Sequence, residues 1–266
     1  MSSRCVTLDY DDQVCVITIN RPERRNAVDG EVASALHDAF AAFEADEDRA
    51  VAVLTGAGGH FCAGADLEAM GDADRRNVVD AHGAGPGPMG PTRMSLDKPV
   101  IAAVPGYAVA GGLELALWCD LRVIEDATVF GVFCRRWGVP LIDGGTVRLP
   151  RLIGQARALD MMLTGRAVAA DEAMQIGLAS RRVGNGESLA AALELAHEIA
   201  RFPQQCLRAD RRSLYAQWDL ALDDALRNEG AGGYPIVFAE ALAGASRFVD
   251  GGAGRHGRFD GRDDAS

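Results

Sequence analysis

The fold is decided by the stretch Lys98-Pro-Val-Ile-Ala-Ala-Val-Pro-Gly-Tyr-Ala-Val-Ala-Gly-Gly-Leu-Glu-Leu-Ala116. Residues 101–104 are apolar throughout, which is typical of a buried strand. Pro105 and Gly106 then predict a turn. The small residues at 110–112 predict a loop, and the apolar run after them predicts a helix over residues 113–119. The stretch therefore predicts a strand, a glycine-bearing loop and a helix in that order, a pattern of α/β proteins.

The same order of elements occurs earlier in the chain. Residues 14–20 form a β-branched run closed by an Arg-Pro pair, which predicts a strand. A helix follows with Asp29 as its N-cap, and its predicted apolar face consists of Val32, Leu36, Phe40 and Phe43. Residues 51–55 predict a second strand, which enters the glycine-rich loop 56–64 and then a short helix over residues 66–70.

The pattern continues downstream and then changes. Strands are predicted at residues 121–124 and 128–130, and they lead to a glycine turn at 143–145. Recurrence of the unit with little sequence identity predicts a coil of repeated supersecondary units. Beyond Gly184 the apolar residues recur at helical spacing, which predicts a C-terminal α-helical subdomain.

Composition and charge limit the function classes. Of 266 residues, 48% are hydrophobic, 24% charged and 6% aromatic, which excludes a disordered or low-complexity chain. Lysine and arginine number 27 against 38 acidic residues, and the net charge of −11 makes nucleic acid a poor partner. The sequence also has neither a membrane-spanning apolar run nor a signal peptide, so we expect no membrane partner and a cytoplasmic location.

Cysteine and histidine residues do not form a ligand pattern. The six cysteines are scattered through mostly apolar segments without a C-x-x-C pair. They are typical of small core residues in a reducing compartment. The five histidines do not fall at metal-ligand spacing either, and we therefore expect no metal site.

Two loops carry the candidate chemistry. Residues 60–67 and 109–115 each place small residues directly before a predicted helix, where backbone N–H groups are unpaired and can donate to an anion or a carbonyl oxygen. Two such loops facing one another make an oxyanion hole, although glycine at either position also serves a tight turn. Glu114 lies in the first turn of an otherwise apolar helix. It complements the helix dipole, or it is a general acid–base with a raised pKa.

At this point a family resemblance becomes specific. The motifs that carry it, in order, are Asn20-Arg-Pro-x-x-x-Asn26-Ala27, Leu54-Thr-Gly, Phe61-Cys-Ala-Gly-Ala-Asp-Leu, the stretch from Lys98 to Ala116, Cys119-Asp120, Phe130-Gly131, Gly144-Gly-Thr-x-Arg-Leu-Pro-Arg-Leu-Ile-Gly154, Leu163-Thr-Gly-Arg and Ala173-x-x-x-Gly177-Leu. Together they resemble the enoyl-CoA hydratase/isomerase (crotonase) superfamily over about residues 6 to 205.

The resemblance implies a fold and an assembly. The implied fold class is α/β, a crotonase-like ββα superhelix with a C-terminal α-helical subdomain. We expect the spiral core with its acyl-CoA site over residues 1–200 and a helical trimerisation region over residues 201–266. A homotrimer or a dimer of trimers is expected, since the 207–222 stripe and the segment 235–248 have more apolar surface than a small subdomain buries alone.

The resemblance also implies a site for an acyl-CoA substrate. The thioester oxygen would accept hydrogen bonds from the backbone N–H groups of Ala65 and Gly111, which form the oxyanion hole. The implied substrate-binding residues are Arg25, Ala27, Ala63, Asp66, Leu67, Glu68 and Cys134. Coenzyme A would enter only as part of the substrate, and no separate cofactor is implied.

One departure from the family pattern concerns the reaction itself. Hydratases of the family use two glutamates around one water, and Glu114 matches the first of them. Cys134 stands where the second is expected, and a neutral thiol does not share a water as a carboxylate does. Asp143 supplies the missing carboxylate, or it is an Asx-type turn residue.

The expected function is hydration of a 2-enoyl-CoA by a lyase in which Glu114 is the acid or base and Asp143 a helper. One alternative is a double-bond isomerase, because a single carboxylate can move a proton between carbons. The other is a non-catalytic acyl-CoA-binding paralogue, which the loss of the second glutamate favours and the presence of Glu114 does not. Acyl chain length and pathway do not follow from the sequence.

Overall fold

A computed structural model describes residues 5–249. Within that range the strands are β1 (Val6–Asp11), β2 (Val14–Ile19), β3 (Val51–Gly56), β4 (Val100–Val104), β5 (Tyr107–Val109), β6 (Leu121–Glu125), β7 (Val129–Gly131), β8 (Ala167–Ala169) and β9 (Arg181–Val183). The α-helices are α1 (Gly30–Ala45), α2 (Gly111–Trp118), α3 (Gly145–Ile153), α4 (Gln155–Thr164), α5 (Ala170–Gln175), α6 (Ser188–Ala200), α7 (Gln204–Ala216), α8 (Leu222–Ile236) and α9 (Leu242–Val249). Short 3-10 helices and a π-helical segment at Val237–Ala241 complete the order.

The strands form two sheets. The larger has six strands in the order β1-β2-β3-β4-β6-β9, and only its β1–β2 pair is antiparallel. The smaller has the order β5-β7-β8, with β5 parallel to β7 and β7 antiparallel to β8. All residues of β3 and β4 are buried, as expected for parallel strands covered on both faces.

Helix α1 follows the sequence pattern closely. It begins after Asp29, whose side chain accepts a hydrogen bond from the Val32 amide at 3.2 Å, as an N-cap does. The predicted apolar face is buried, with Val32, Leu36, Phe40 and Phe43 each at most 1% exposed. Phe40 also packs edge to face on Trp118, with ring centroids 4.7 Å apart, and this contact joins α1 to α2.

The decisive stretch carries one more element than its pattern predicts. Strand β4 ends at Val104, and β5 then enters the smaller sheet before α2 starts at Gly111.

The predicted helix over residues 66–70 is wrong, because this segment consists of turns. Asp66 accounts for the difference, since its carboxylate accepts from the Glu68 amide and its carbonyl from the Ala69 amide, and these local bonds compete with a helix.

The chain divides into two compact units. The first runs to His197 and holds both sheets with α1 to α5. The second begins at Glu198 and contains α7, α8 and α9, and neither α8 nor α9 has a buried residue. The helical character predicted for the C-terminal part is thus present in the described residues.

Lys98, the single lysine of the sequence, ties the larger sheet to α1. Its side chain is buried, and Nζ donates to the Phe43 carbonyl at 2.8 Å and to the Asp46 carbonyl at 2.5 Å. These carbonyls belong to the end of α1, where the dipole favours a cation, and each also accepts a longer backbone hydrogen bond, from the Asp46 amide at 3.3 Å and from the Arg49 amide at 3.1 Å.

Lys98→Met should lower the free energy of unfolding by about 1–3 kcal/mol, because two carbonyls lose a charged donor while the apolar stem is retained. Urea titration should show a lower midpoint with an unchanged slope. An unchanged midpoint would mean that water replaces the ammonium group at no loss.

Candidate active site

One cavity of about 420 Å³ gathers most of the predicted site residues. Its walls come from the turns at residues 63–70, the segment 76–89, the start of α2 and the stretch 133–143. The segment 71–94 contributes Arg76, Asn77, Val79, Pro88 and Met89.

Ala65 and Gly111 line this cavity, and neither backbone amide has a hydrogen-bond acceptor among residues 5–249. Gly111 is the first residue of α2, so its N–H has no partner within the helix. The two loops approach each other at Gly64, where a Cβ would lie 3.0 Å from the Gly111 nitrogen and 2.9 Å from the Ala110 Cβ. With φ of +97°, Gly64 also adopts a conformation that favours glycine.

Ala110 holds the second amide in place. It has φ of +55° and ψ of −125°, an unfavourable conformation for a residue with a side chain. Its amide is fixed by a 2.8 Å hydrogen bond to the Gly131 carbonyl in β7. The turn therefore uses the Ala110 amide in the smaller sheet and leaves the Gly111 amide without a backbone acceptor in the described residues.

Glu114 lies on the first turn of α2 and is 2% exposed. Its Oε1 accepts from the Asp143 amide at 2.9 Å and from the Gly145 amide at 2.8 Å, while Oε2 accepts no hydrogen bond from the described part of the chain. Gly145 is required there, because a Cβ would lie 2.9 Å from both Cγ and Oε1 of Glu114. Burial raises the pKa of Glu114 to about 7, although the two amides oppose the shift.

The Asp143 carboxyl group lines the same cavity and is also buried. Its Oδ1 accepts from the Met89 amide at 2.9 Å and from the Thr92 hydroxyl. Burial raises the pKa of Asp143 above its usual range, and these hydrogen bonds oppose the rise. Glu114 and Asp143 thus form a pair of neighbouring buried carboxyls, and the charge of Asp143 contributes to the raised pKa of Glu114.

Cys134 lies on the 3-10 helix Phe133–Trp137 and lines the cavity. Burial raises the pKa of its thiol, and the charge of Glu114 raises it further. The thiol is therefore neutral near pH 7. As a result, Cys134 adds no negative charge to the cavity wall beside Glu114.

The remaining predicted residues divide into two sets. Ala63 and Leu67 line the cavity, whereas Arg25, Ala27, Asp66 and Glu68 do not. These four lie beside the same wall: the Arg25 carbonyl accepts from the Ala63 amide, and the Ala27 carbonyl accepts from Arg21. Arg21 also pairs with Asp66 at 3.1 Å, and Glu68 pairs with Arg24.

Sequence reasoning missed several lining residues, among them Asn77, Met89, Phe133, Arg136 and Trp137. The Met89 side chain fits against the backbone of Gly111 because this residue has no side chain. A Cβ at Gly111 would lie 2.6 Å from the Met89 sulfur. In the 133–137 segment the sequence motifs pointed to Cys134 alone. Within segment 76–89 the sequence singles out no individual residue, because its glycines and prolines follow neither helical nor strand periodicity.

The described residues offer neither a membrane span nor a cluster of metal ligands. No helix in the described range is long and apolar enough to cross a membrane. Among residues 5–249 no group of three or more His, Cys, Asp or Glu side chains is placed to hold a metal ion. The expectation that the protein needs no separate cofactor stays a prediction.

Comparison with known proteins identifies the family. The sequence profile described as Enoyl-CoA hydratase/isomerase matches residues 9–236. The chain belongs to this family. EchA19, an enoyl-CoA hydratase of Mycobacterium tuberculosis, is 38% identical over 206 residues, which cover 75% of this chain and 76% of the relative. Mevalonyl-coenzyme A hydratase sidH of Aspergillus fumigatus is 33% identical over 217 residues, 82% of this chain and 80% of the relative.

A solved structure agrees with the sequence relatives. The crystal structure of enoyl-CoA hydratase EchA1 from Mycobacterium marinum superposes with a TM-score of 0.88 at 36% identity, covering 94% of this chain and 97% of that one. The predicted superfamily and the crotonase-like α/β fold are confirmed. So is the expectation of an acyl-CoA-processing enzyme of the hydratase type, and the isomerase alternative is not favoured. The roles of individual residues stay predictions.

The raised pKa of Glu114 predicts a pH-dependent stability. Its carboxyl group binds a proton more tightly in the folded chain than in the unfolded one, so the stability it contributes is present below about pH 4.5 and is lost as pH rises through about 7. Glu114→Gln retains an oxygen for the two amides and does not titrate. Relative to the parent, the variant should therefore gain about 2–3 kcal/mol between the two ends of this range.

Urea unfolding of both proteins across that pH range checks this expectation. Titrating groups that do not interact with Glu114 act alike in both proteins and cancel in the difference, whereas Asp143 and Cys134 are coupled to Glu114 and contribute to it. A difference that does not change with pH would show that the pKa of Glu114 is not raised.

Proposed function

We propose that this family member hydrates a 2-enoyl-CoA thioester to the 3-hydroxyacyl-CoA. The observation that carries the proposal is one cavity lined by two unpaired backbone amides, at Ala65 and Gly111, and by the buried carboxyl group of Glu114. Unpaired amides suit an oxygen that gains negative charge, and a carboxyl group with a pKa of about 7 suits proton transfer near neutral pH.

In this proposal the thioester oxygen accepts hydrogen bonds from the Ala65 and Gly111 amides. Both donors are fixed before substrate binds, so they stabilise the enolate oxygen without reorganisation. Removal of one such donor typically costs about 3–4 kcal/mol of transition-state stabilisation. The dipole of α2 adds partial positive charge at the Gly111 amide.

Glu114 would act as general base toward the water. The water oxygen forms a bond to C3 of the enoyl group, the C2–C3 π electrons move to the thioester oxygen, and the water proton passes to a carboxylate. The protonated carboxyl group then returns a proton to C2 of the enolate, so that the net change is the addition of one water across the C2–C3 bond. The Oε2 atom is the one suited to this transfer, since Oε1 is occupied by the two amides.

Asp143 is the second carboxylate in our proposal, in the role that Cys134 cannot fill. It lines the same cavity, and its charge acts on Glu114, so the two carboxyl groups would titrate as a coupled pair. Its Oδ1 is held by the Met89 amide and the Thr92 hydroxyl, which leaves Oδ2 for the water. We assign the binding of the coenzyme A moiety to Arg25, Ala27 and the backbone of residues 63–68, beside the Ala65 amide.

Glu114→Gln should reduce kcat for 2-enoyl-CoA hydration by roughly 10²–10⁴-fold and leave the affinity for a saturated acyl-CoA within a few-fold, because only the titrating group is lost. In the parent, kcat/KM should rise as pH increases through about 7, since the base must be ionised. Steady-state rates and calorimetric binding give both quantities. Normal turnover with weakened binding would make Glu114 a structural acid.

Asp143→Asn serves as the companion variant, because it retains both acceptor contacts of Oδ1 and removes the second carboxylate. A large loss of hydration supports the two-carboxylate mechanism, and an unchanged rate leaves Glu114 acting alone. Assays with a 3-enoyl-CoA test the isomerase alternative. Binding of a saturated acyl-CoA without turnover of either enoyl-CoA would identify a non-catalytic paralogue.

We further propose a homotrimer or a dimer of trimers. The helices of the second unit expose large apolar side chains, each at least half accessible: Leu214, Trp218, Leu222, Phe238, Leu242 and Phe248. Such surface favours burial against another copy. Sedimentation at micromolar concentration should give three or six times the mass of the chain, and a monomer would contradict this proposal. The cytoplasmic location stays a prediction.

A further inference from the structure

Two arginines line the cavity and have no task in the proposed reaction. The polar lining residues otherwise have partners or roles: Glu114 and Asp143 are the proposed acid–base pair, and Asn77 donates to the Val28 and Pro88 carbonyls. Arg76 and Arg136 also line the cavity, yet neither pairs with a carboxylate of residues 5–249.

The absence of an ion pair at Arg136 is informative in so acidic a chain. Acidic residues exceed basic ones by 11. Other arginines form ion pairs with them: Arg21 pairs with Asp29 and Asp66, and Arg166 pairs with Asp160 and Glu172. Arg136 therefore presents a positive charge to the cavity without a carboxylate from the described chain to neutralise it.

The Arg136 side chain is nevertheless held in place. Its guanidinium carbon lies 3.9 Å from the centroid of the Phe133 ring, and its Nη2 donates to the Gly165 carbonyl at 3.3 Å. Phe133 is itself fixed above β7, since a Cβ at Gly131 would lie 2.3 Å from its ring. A guanidinium that is already ordered loses less conformational freedom when it binds a partner.

Arg136 and Cys134 belong to the same short 3-10 helix, and both line the cavity. Cys134 lies within electrostatic reach of Glu114, so this helix extends from the acid–base group to the guanidinium. Because Cys134 is uncharged, it neither neutralises Arg136 nor repels an anion that approaches it. The remainder of this wall, at Phe133, Trp137 and Val139, is apolar or aromatic.

We propose that Arg136 forms an anion subsite for the far end of the acyl group, and that the substrate is a 2-enoyl-CoA whose acyl chain ends in a carboxylate. This inference rests on the proposed hydratase function and names its substrate class. The acyl chain would pass Glu114 and Cys134 along the apolar wall. Its carboxylate would then accept hydrogen bonds from the guanidinium nitrogens that do not bond Gly165.

The test compares two thioesters of equal chain length, hex-2-enoyl-CoA and its analogue with a terminal carboxylate, hex-2-enedioyl-CoA. The parent should show the higher kcat/KM for the carboxylate. Arg136→Met should lower kcat/KM for this substrate by about 10- to 100-fold and leave that for hex-2-enoyl-CoA within about three-fold. Arg135→Met is the matched control, since Arg135 donates to the Met162 carbonyl, does not line the cavity, and should alter neither value.

Three results would overturn the proposal. A parent that prefers the methyl-terminated substrate has no anion subsite. Equal losses for both substrates in Arg136→Met would assign the guanidinium to the coenzyme A phosphates or to the fold. Loss of the preference in Arg76→Met but not in Arg136→Met would place the subsite at Arg76.

Calorimetric binding of the saturated pair, hexanoyl-CoA and adipyl-CoA, separates this inference from the proposed reaction. Tighter binding of adipyl-CoA that is lost in Arg136→Met supports the subsite even where the parent turns over neither enoyl-CoA. Turnover of hex-2-enoyl-CoA with no preference for adipyl-CoA would overturn the subsite and leave the hydratase proposal standing.

Discussion

The candidate site depends on one oxygen atom, Oε1 of Glu114, and on the two backbone amides that bind it. Asp143 donates to this atom from the turn before α3 and Gly145 from the first residue of α3, while Glu114 itself belongs to α2. The contact therefore fixes the helix that carries the Gly111 amide to the turn that carries the second carboxyl group. A carboxyl group so buried is tolerated because its polar atoms are partly satisfied, and the remaining desolvation appears as its raised pKa.

Much of this arrangement could be predicted from the sequence, for identifiable reasons. Helix α1 has a capping aspartate and an apolar face of regular spacing, and β4 is an uninterrupted apolar run, so local pattern and burial agree there. The short helix expected at residues 66–70 failed because Asp66 bonds its own backbone. Strand β5 was missed because three residues carry too little periodicity to separate a strand from a loop.

The site residues also divide into those that follow from local sequence patterns and those that do not. Ala65, Gly111 and Glu114 stand in motifs with a fixed relation to secondary structure, so their shared cavity could be anticipated. Met89, Phe133 and Arg136 reach the cavity from irregular segments whose path depends on tertiary contacts, such as the Gly111 approach to Met89 and the Gly131 approach to Phe133. Those contacts join residues that are far apart in sequence or that do not follow a helical or strand period. The order of residues along the chain therefore does not reveal them.

The buried position of Lys98 has a consequence for an enzyme that handles thioesters. Thioesters are activated acyl donors, and they acylate free lysine amines without a catalyst in a reaction that is not reversed by thiol exchange. This chain has one lysine, and the fold withdraws its nitrogen from solvent and engages it with two carbonyl oxygens at the end of α1. All other positive side chains that are permanently charged are arginines, which remain protonated and are poor nucleophiles. The folded protein is thereby protected from chemical modification of its side-chain amine by its own substrates and products.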